Sequence, residues 1–150
     1  MAPRSKGKWK VLVATDGSRG GVAALQFAAG LAGRREVSLT VITVASEQPP
    51  GKGDNSLRRA RTSLASAGRS LRRSGVEADL RVVGARPQES IPEAIHRESD
   101  LLDADLVVIG SEGRDTLREW VVGGVALRLL YLATRPVTVV RPPRLRRRSR

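Results

Sequence analysis

Residues 104–124 read ADLVVIGSEGRDTLREWVVGG, and this stretch decides the fold. The apolar run 104–109 predicts a buried strand. Glycines follow at 110, 113, 123 and 124, and residues 124–133 (GVALRLLYLA) read as a helix. A strand that opens into a glycine loop and then a helix is a common phosphate cradle. Glycine lets backbone N–H groups approach an anion, and the helix N-terminus adds the positive end of its dipole.

Working outward, strand and helix signals alternate along the chain. Residues 10–15 (KVLVAT) are β-formers ending at Asp16-Gly17-Ser18, a turn and helix-cap signal. A helix is expected from Ser18 to about Gly33, with Val22, Leu25, Ala29 and Ala32 facing inward. Strand 36–45 and a Pro/Gly loop 46–54 precede an amphipathic helix over 55–74, whose apolar face is Leu57, Ala60, Leu64, Ala67 and Leu71. Its other face carries Arg58, Arg59, Arg61, Arg69, Arg72 and Arg73 without an acid, which reads first as a solvated face. Residues 76–84 form a strand, 87–98 a helix with Pro87 near its start, and 136–140 a last strand. This order predicts a single α/β domain, doubly wound, with a largely parallel sheet covered on both faces. Ligands of such sheets bind beyond the strand carboxyl ends, where the strand order reverses. The loops after the first and fourth strands, Thr15-Asp16-Gly17 and Gly110–Gly113, would then face one cleft.

The net charge of +12 is unevenly spread: +4 in residues 1–10, +6 in 141–150 and +2 in the 130 residues between. The basicity therefore belongs to two tails, 1–9 and 142–150, flanking a domain over 10–141. The stretch from Arg141 to Arg150 is a candidate binder of nucleic acid or an acidic partner through counterion release. It has no aromatic side chain for base stacking. The chain has no cysteine, which excludes thiol catalysis and thiolate metal sites, and one histidine, His96, expected at the surface. The first ten residues are too polar for a signal peptide, and no apolar stretch approaches a membrane span, so a cytoplasmic location is expected. Gly51-Lys52-Gly53 lacks the rest of a Walker loop, and residues 16–21 do not fit a dinucleotide fingerprint. No nucleophile–base or paired-carboxylate arrangement nominates a reaction, so an enzyme is not expected, with weak ATP hydrolysis left open.

Together these landmarks resemble the universal stress protein family over residues 9–141. Gly110, Gly113 and Gly123 match the family's pattern of glycine, two residues, glycine, nine residues, glycine. VLVATDGS (11–18), Gly84-Ala85-Arg86-Pro87 and RPVTVVR (135–141) are further points of likeness. The resemblance implies a five-stranded sheet of order 3-2-1-4-5 and a stress-response or regulatory module binding adenine nucleotide, ATP with or without Mg²⁺. It places Ala14, Thr15, Asp16 and Val44 around adenine and ribose, and Gly110, Gly113, Gly123 and the residue after it on the phosphates. It also implies a homodimer through the last strand, from Pro136 to Val140. The chain departs from the pattern at Gly124, which stands where the family has serine or threonine and removes one hydroxyl from the phosphates. Glu112 and Asp115 add carboxylates by the loop, which Arg114 and Arg118 would offset. Two alternatives stand beside ATP binding: a nucleotide-free dimeric scaffold with a retired site, and a module acting through its basic tails.

Overall fold

The computed structural model describes residues 7–34, 36–46, 55–112 and 122–143. Strand β1 (Trp9–Ala14) is β-branched and leucine-rich from Val11 on, and its last four residues are buried, as a central parallel strand requires. It is followed by α1 (Arg19–Arg34), β2 (Val37–Ala45), α2 (Asn55–Arg73), β3 (Asp79–Gly84), α3 (Ile91–Leu102), β4 (Leu106–Gly110), α4 (Gly124–Leu132) and β5 (Val137–Val140). The strands form one parallel sheet of order β3-β2-β1-β4-β5. The alternating pattern thus gives the expected doubly wound α/β domain.

Side-chain alternation along β1 divides the core. Val11 and Val13 pack with Ala24, Ala28, Val41 and Leu71 on the α1/α2 face. Leu12 and Ala14 pack with Ile42, Ile95, Ile109 and Leu129 on the α3/α4 face. The chain runs outward from β1 to β3 and then returns to lay β4 on the other side of β1. The reversal, and so the crevice, lies between the carboxyl ends of β1 and β4.

Two expectations about helices are corrected. Helix α3 starts at Ile91 rather than Pro87, because Ser90 and Glu93 form a reciprocal capping box. The Ser90 amide donates to Glu93 (2.7 Å), and the Glu93 amide donates to Ser90 Oγ (3.3 Å). Pro92, not Pro87, is the proline of the first turn. The inward face of α1 is Gly20, Gly21, Ala24, Leu25 and Ala28, whereas Val22 is exposed. Small residues face inward because α1 lies backbone-to-backbone on β4. A Cβ on Gly110 would collide with the main chain of Gly20, and one on Gly20 with the Glu112 carbonyl. His96 is partly buried instead of at the surface; its Nε2 lies 3.5 Å from Asp100, and its buried Nδ1 has no partner among the described residues.

Candidate functional site

The loop after β1 is built by its own side chains. Asp16 Oδ1 accepts the Ser18 amide (2.9 Å) and Thr15 Oγ1 the Gly17 amide (3.3 Å), with Gly17 at φ +77°, a left-handed turn that favours glycine. Ser18 Oγ accepts the Gly21 amide (3.2 Å) and caps α1, as its place before the helix suggested. It also donates to the Glu112 carbonyl (3.4 Å), joining this loop to the one after β4. From the other side, Ser63 of α2 donates to the Asp16 carbonyl (3.1 Å).

A cavity of about 680 Å³ opens over these strand ends. Ala14, Thr15, Asp16, Val44, Gly110, Gly123 and Gly124 all line it, so seven of the nine residues named from the sequence converge on one space. The other two, Gly113 and Arg114, lie outside the described residues, as do Asp115 and Arg118. The cavity has two unlike walls. Ile91, Pro92 and Ile95 of α3, with Ile109 and Val125, make an apolar wall. Thr43 and Ser46 of β2 and its following turn, with Ser56, Arg59 and Ser63 of α2, make a hydroxyl-rich one. None of the five was named as a site residue from the sequence, where Arg59 counted only as part of a solvated basic face, and the stripe Ser56–Arg59–Ser63 becomes visible only once α2 is docked.

The glycines are not equivalent. Gly110 has a packing reason of its own, the close approach of Gly20. The Gly123 amide donates to the Ser111 carbonyl (2.6 Å), which closes the loop on itself. Gly123 is also the N-cap residue of α4, and no side chain caps that helix. The first N–H groups of an α-helix have no acceptor within it, and Gly124, Val125 and Ala126 of that turn line the cavity. At Gly124 a side chain would meet no heavy atom within 4 Å. This combination suits an anion at the α4 N-terminus.

Charge at the cavity is sparse: among the described lining residues only Asp16, Arg59 and Glu112 are ionisable. No three His, Cys, Asp or Glu side chains converge as a metal site among the described residues. The apolar wall is braced from behind. Arg97 of α3 grips Glu89 (2.8 Å), Glu98 (2.7 Å) and the Gly84 carbonyl (3.1 Å), fixing the turn that leads into Ile91 and Pro92. That guanidinium, with the Arg86 amide, holds the Glu89 carboxyl down at about 2. The Ser90 amide likewise lowers the Glu93 carboxyl.

A parallel 3-2-1-4-5 sheet with a two-walled crevice across its reversal defines a doubly wound α/β domain with its crevice at the strand carboxyl ends. The chain belongs to the universal stress protein family, whose model matches residues 9–141. It is similar to the solved universal stress protein from Archaeoglobus fulgidus, at 26% identity over 88% of this chain and 93% of that one, TM-score 0.71. The A. fulgidus protein solved in complex with dAMP is 28% identical, covering 88% and 97% of the two chains, TM-score 0.69. A universal stress protein solved with cAMP shares the fold at 22% identity, covering 90% and 98%, TM-score 0.70. No curated protein sequence matches the chain. Among the described residues no helix is long and apolar enough to cross a membrane.

Proposed function

We propose that this protein is a regulatory module that binds an adenine nucleotide, ATP foremost, in the crevice between β1 and β4. The observation that carries the reading is the convergence of Ala14, Thr15, Asp16, Val44, Gly110, Gly123 and Gly124 on one 680 Å³ cavity. A space of that size, apolar on one side with a few polar groups on the other, suits a nucleoside. The relative that binds dAMP supports an adenylate. The base rests against Val44 and the α3 wall, and the phosphates meet the first turn of α4. With Gly124 in place of a hydroxyl residue, one neutral hydrogen bond is lost, worth about 1 kcal/mol or several-fold in affinity. Mg²⁺ would ride on the phosphates, since the described residues assemble no carboxylate cluster for it.

Calorimetry with ATP–Mg²⁺ at millimolar concentration, beside mass spectrometry of nucleotide released on denaturation, tests the reading. Heat of binding and a co-purified adenylate are expected; absence of both refutes it. Gly124→Ser has room for its side chain and should tighten ATP several-fold.

The module is proposed to act as a homodimer. Strand β5 ends the sheet with one edge unpaired among the described residues, and Leu127, Leu130 and Tyr131 of α4 stand exposed, Tyr131 at 84%. The reading of a nucleotide-free scaffold draws on the Gly123–Ser111 bond and on Glu112 in the lining; there, Gly124→Ser would change nothing. Pro143, the last described residue, is held at the ligand edge by Arg19, which donates to its carbonyl (2.8 Å), and the basic stretch Arg141–Arg150 is proposed to meet any acidic partner.

A further inference from the structure

Arg59 is the one cation among the described residues of the cavity lining, and the nucleotide reading gives it no task. It stands on the hydroxyl-rich wall, one turn after Ser56 and one before Ser63, three and four residues away on the same stripe of α2. Ser56 Oγ accepts the Ser46 amide (2.9 Å) and lies 3.3 Å from Ser46 Oγ, which ties the end of β2 to the first turn of α2 directly below Arg59. Thr43, only 4% exposed, extends the same wall with a hydroxyl that has no partner among the described residues. No carboxylate among the described residues pairs with Arg59.

The position of this wall matters. Helix α2 covers β2 and β3, while the α4 N-terminus lies beyond β4. Strands β2 and β4 flank β1, so they are two strand spacings, about 10 Å, apart. The α2 wall and the α4 N-terminus are thus two separate anion-attracting features of one cleft. A ligand with its nucleoside across β1 presents its far side to Arg59.

We propose that Arg59, with the Ser46–Ser56 hydroxyl pair, forms a second anion-holding pole of the cleft. The ligand it fits is a nucleotide bearing a second phosphoryl group remote from its 5′-phosphate. Two sources share this chemistry: a free phosphate on the ribose 3′ position, or a phosphodiester there that joins a second nucleotide. This inference rests on the crevice being a nucleotide site.

The test is calorimetric titration of the full chain with AMP, adenosine 3′,5′-bisphosphate and 5′-phosphorylated adenylyl-(3′→5′)-adenosine. Wild type is expected to bind one of the two probes with a 3′ phosphoryl group about tenfold tighter than AMP, the gain of one charge-assisted contact at a solvated site. Which probe it prefers identifies the source. Arg59→Gln should abolish the preference, weakening the preferred probe about tenfold and AMP much less. Arg69→Gln, on the same helix but outside the cavity lining, should leave the preference intact. The proposal is overturned if neither probe exceeds AMP, if Arg59→Gln weakens AMP and the probes equally (stacking on the base), or if Arg69→Gln acts like Arg59→Gln (diffuse charge). Failure of AMP and ATP alike to bind wild type overturns the nucleotide reading as well; normal AMP binding without a preference overturns only the second pole.

Discussion

Replacing Gly110 by alanine should damage the fold before any ligand is considered, and replacing Gly124 by alanine should not. A Cβ on Gly110 would lie 2.7 Å from Gly20 Cα and closer still to the Gly20 carbonyl group. The obstacle is main chain on both sides, so no rotamer change relieves it. Relief requires α1 to lift from β4, which loosens Ala24 and Ala28 from Val11, Val13 and Val108, all essentially inaccessible to solvent. Overpacking costs typically 1–3 kcal/mol, and a backbone obstacle belongs at the upper end, about 3 kcal/mol. For a chain of this size that lowers the melting temperature by about 10 °C. At Gly124 a methyl group enters open space at the first position of α4 and restricts the unfolded chain, which predicts a change between zero and about 1 kcal/mol of stabilisation. Urea and thermal unfolding of nucleotide-free protein measure both. If Gly110→Ala melts within a degree or two of wild type, the Gly20–Gly110 approach does not hold α1 in place, and Gly110 would have to be explained by ligand alone.

Two further outcomes follow from single side chains. The Glu89 carboxyl, held at about 2 by Arg97, stabilises the fold fully above its unfolded value near 4.5, and that contribution fades as pH falls toward 2. Glu89→Gln should therefore cost about 1–2 kcal/mol at pH 7 in urea unfolding, a figure discounted for solvent screening, and the gap should close on acidification; a pH-independent gap would refute the charge origin. Thr43→Val removes a buried hydroxyl with no partner among the described residues, so nucleotide-free protein should gain up to about 1 kcal/mol, and a loss of stability would show the hydroxyl is satisfied.

The sheet was legible because each strand is a short β-branched run and each helix carries a 3.6-residue period, which side-chain direction alone enforces. Helix α3 begins four residues after Pro87 because the stronger start signal lies three residues on, Ser90 with Glu93 and Pro92 between them. The inner face of α1 was hidden for a different reason. Gly20, Gly21, Ala24 and Ala28 carry little hydropathic weight, so Val22 suggested the wrong stripe. Thr15, Asp16 and Gly110 could be placed on the crevice from strand ends, and Ala14, Val44, Gly123 and Gly124 through the family likeness, whereas the apolar α3 wall was not named. Nor could the α2 wall be, because Arg59 looks like any arginine of a basic face until the helix is docked on β2 and β3.

Glycine spacing of the kind found at 110, 113 and 123 combines requirements with separate physical origins. Gly110 answers to Gly20, a contact wholly within the protein that persists whether or not anything binds. Gly123 donates its amide to the Ser111 carbonyl and accepts the Leu127 amide on its own carbonyl, so it shapes the entry to α4. Gly124 contacts nothing that a side chain would displace, so packing does not demand glycine there. A motif match at Gly110 is thus evidence for the packing of α1 on β4 and only indirectly for a ligand. Position 124, where the chain departs from the family pattern, is where affinity can change without changing the fold. Stability separates the first role and nucleotide titration the second, so the two substitutions, Gly110→Ala and Gly124→Ser, should move different measurements.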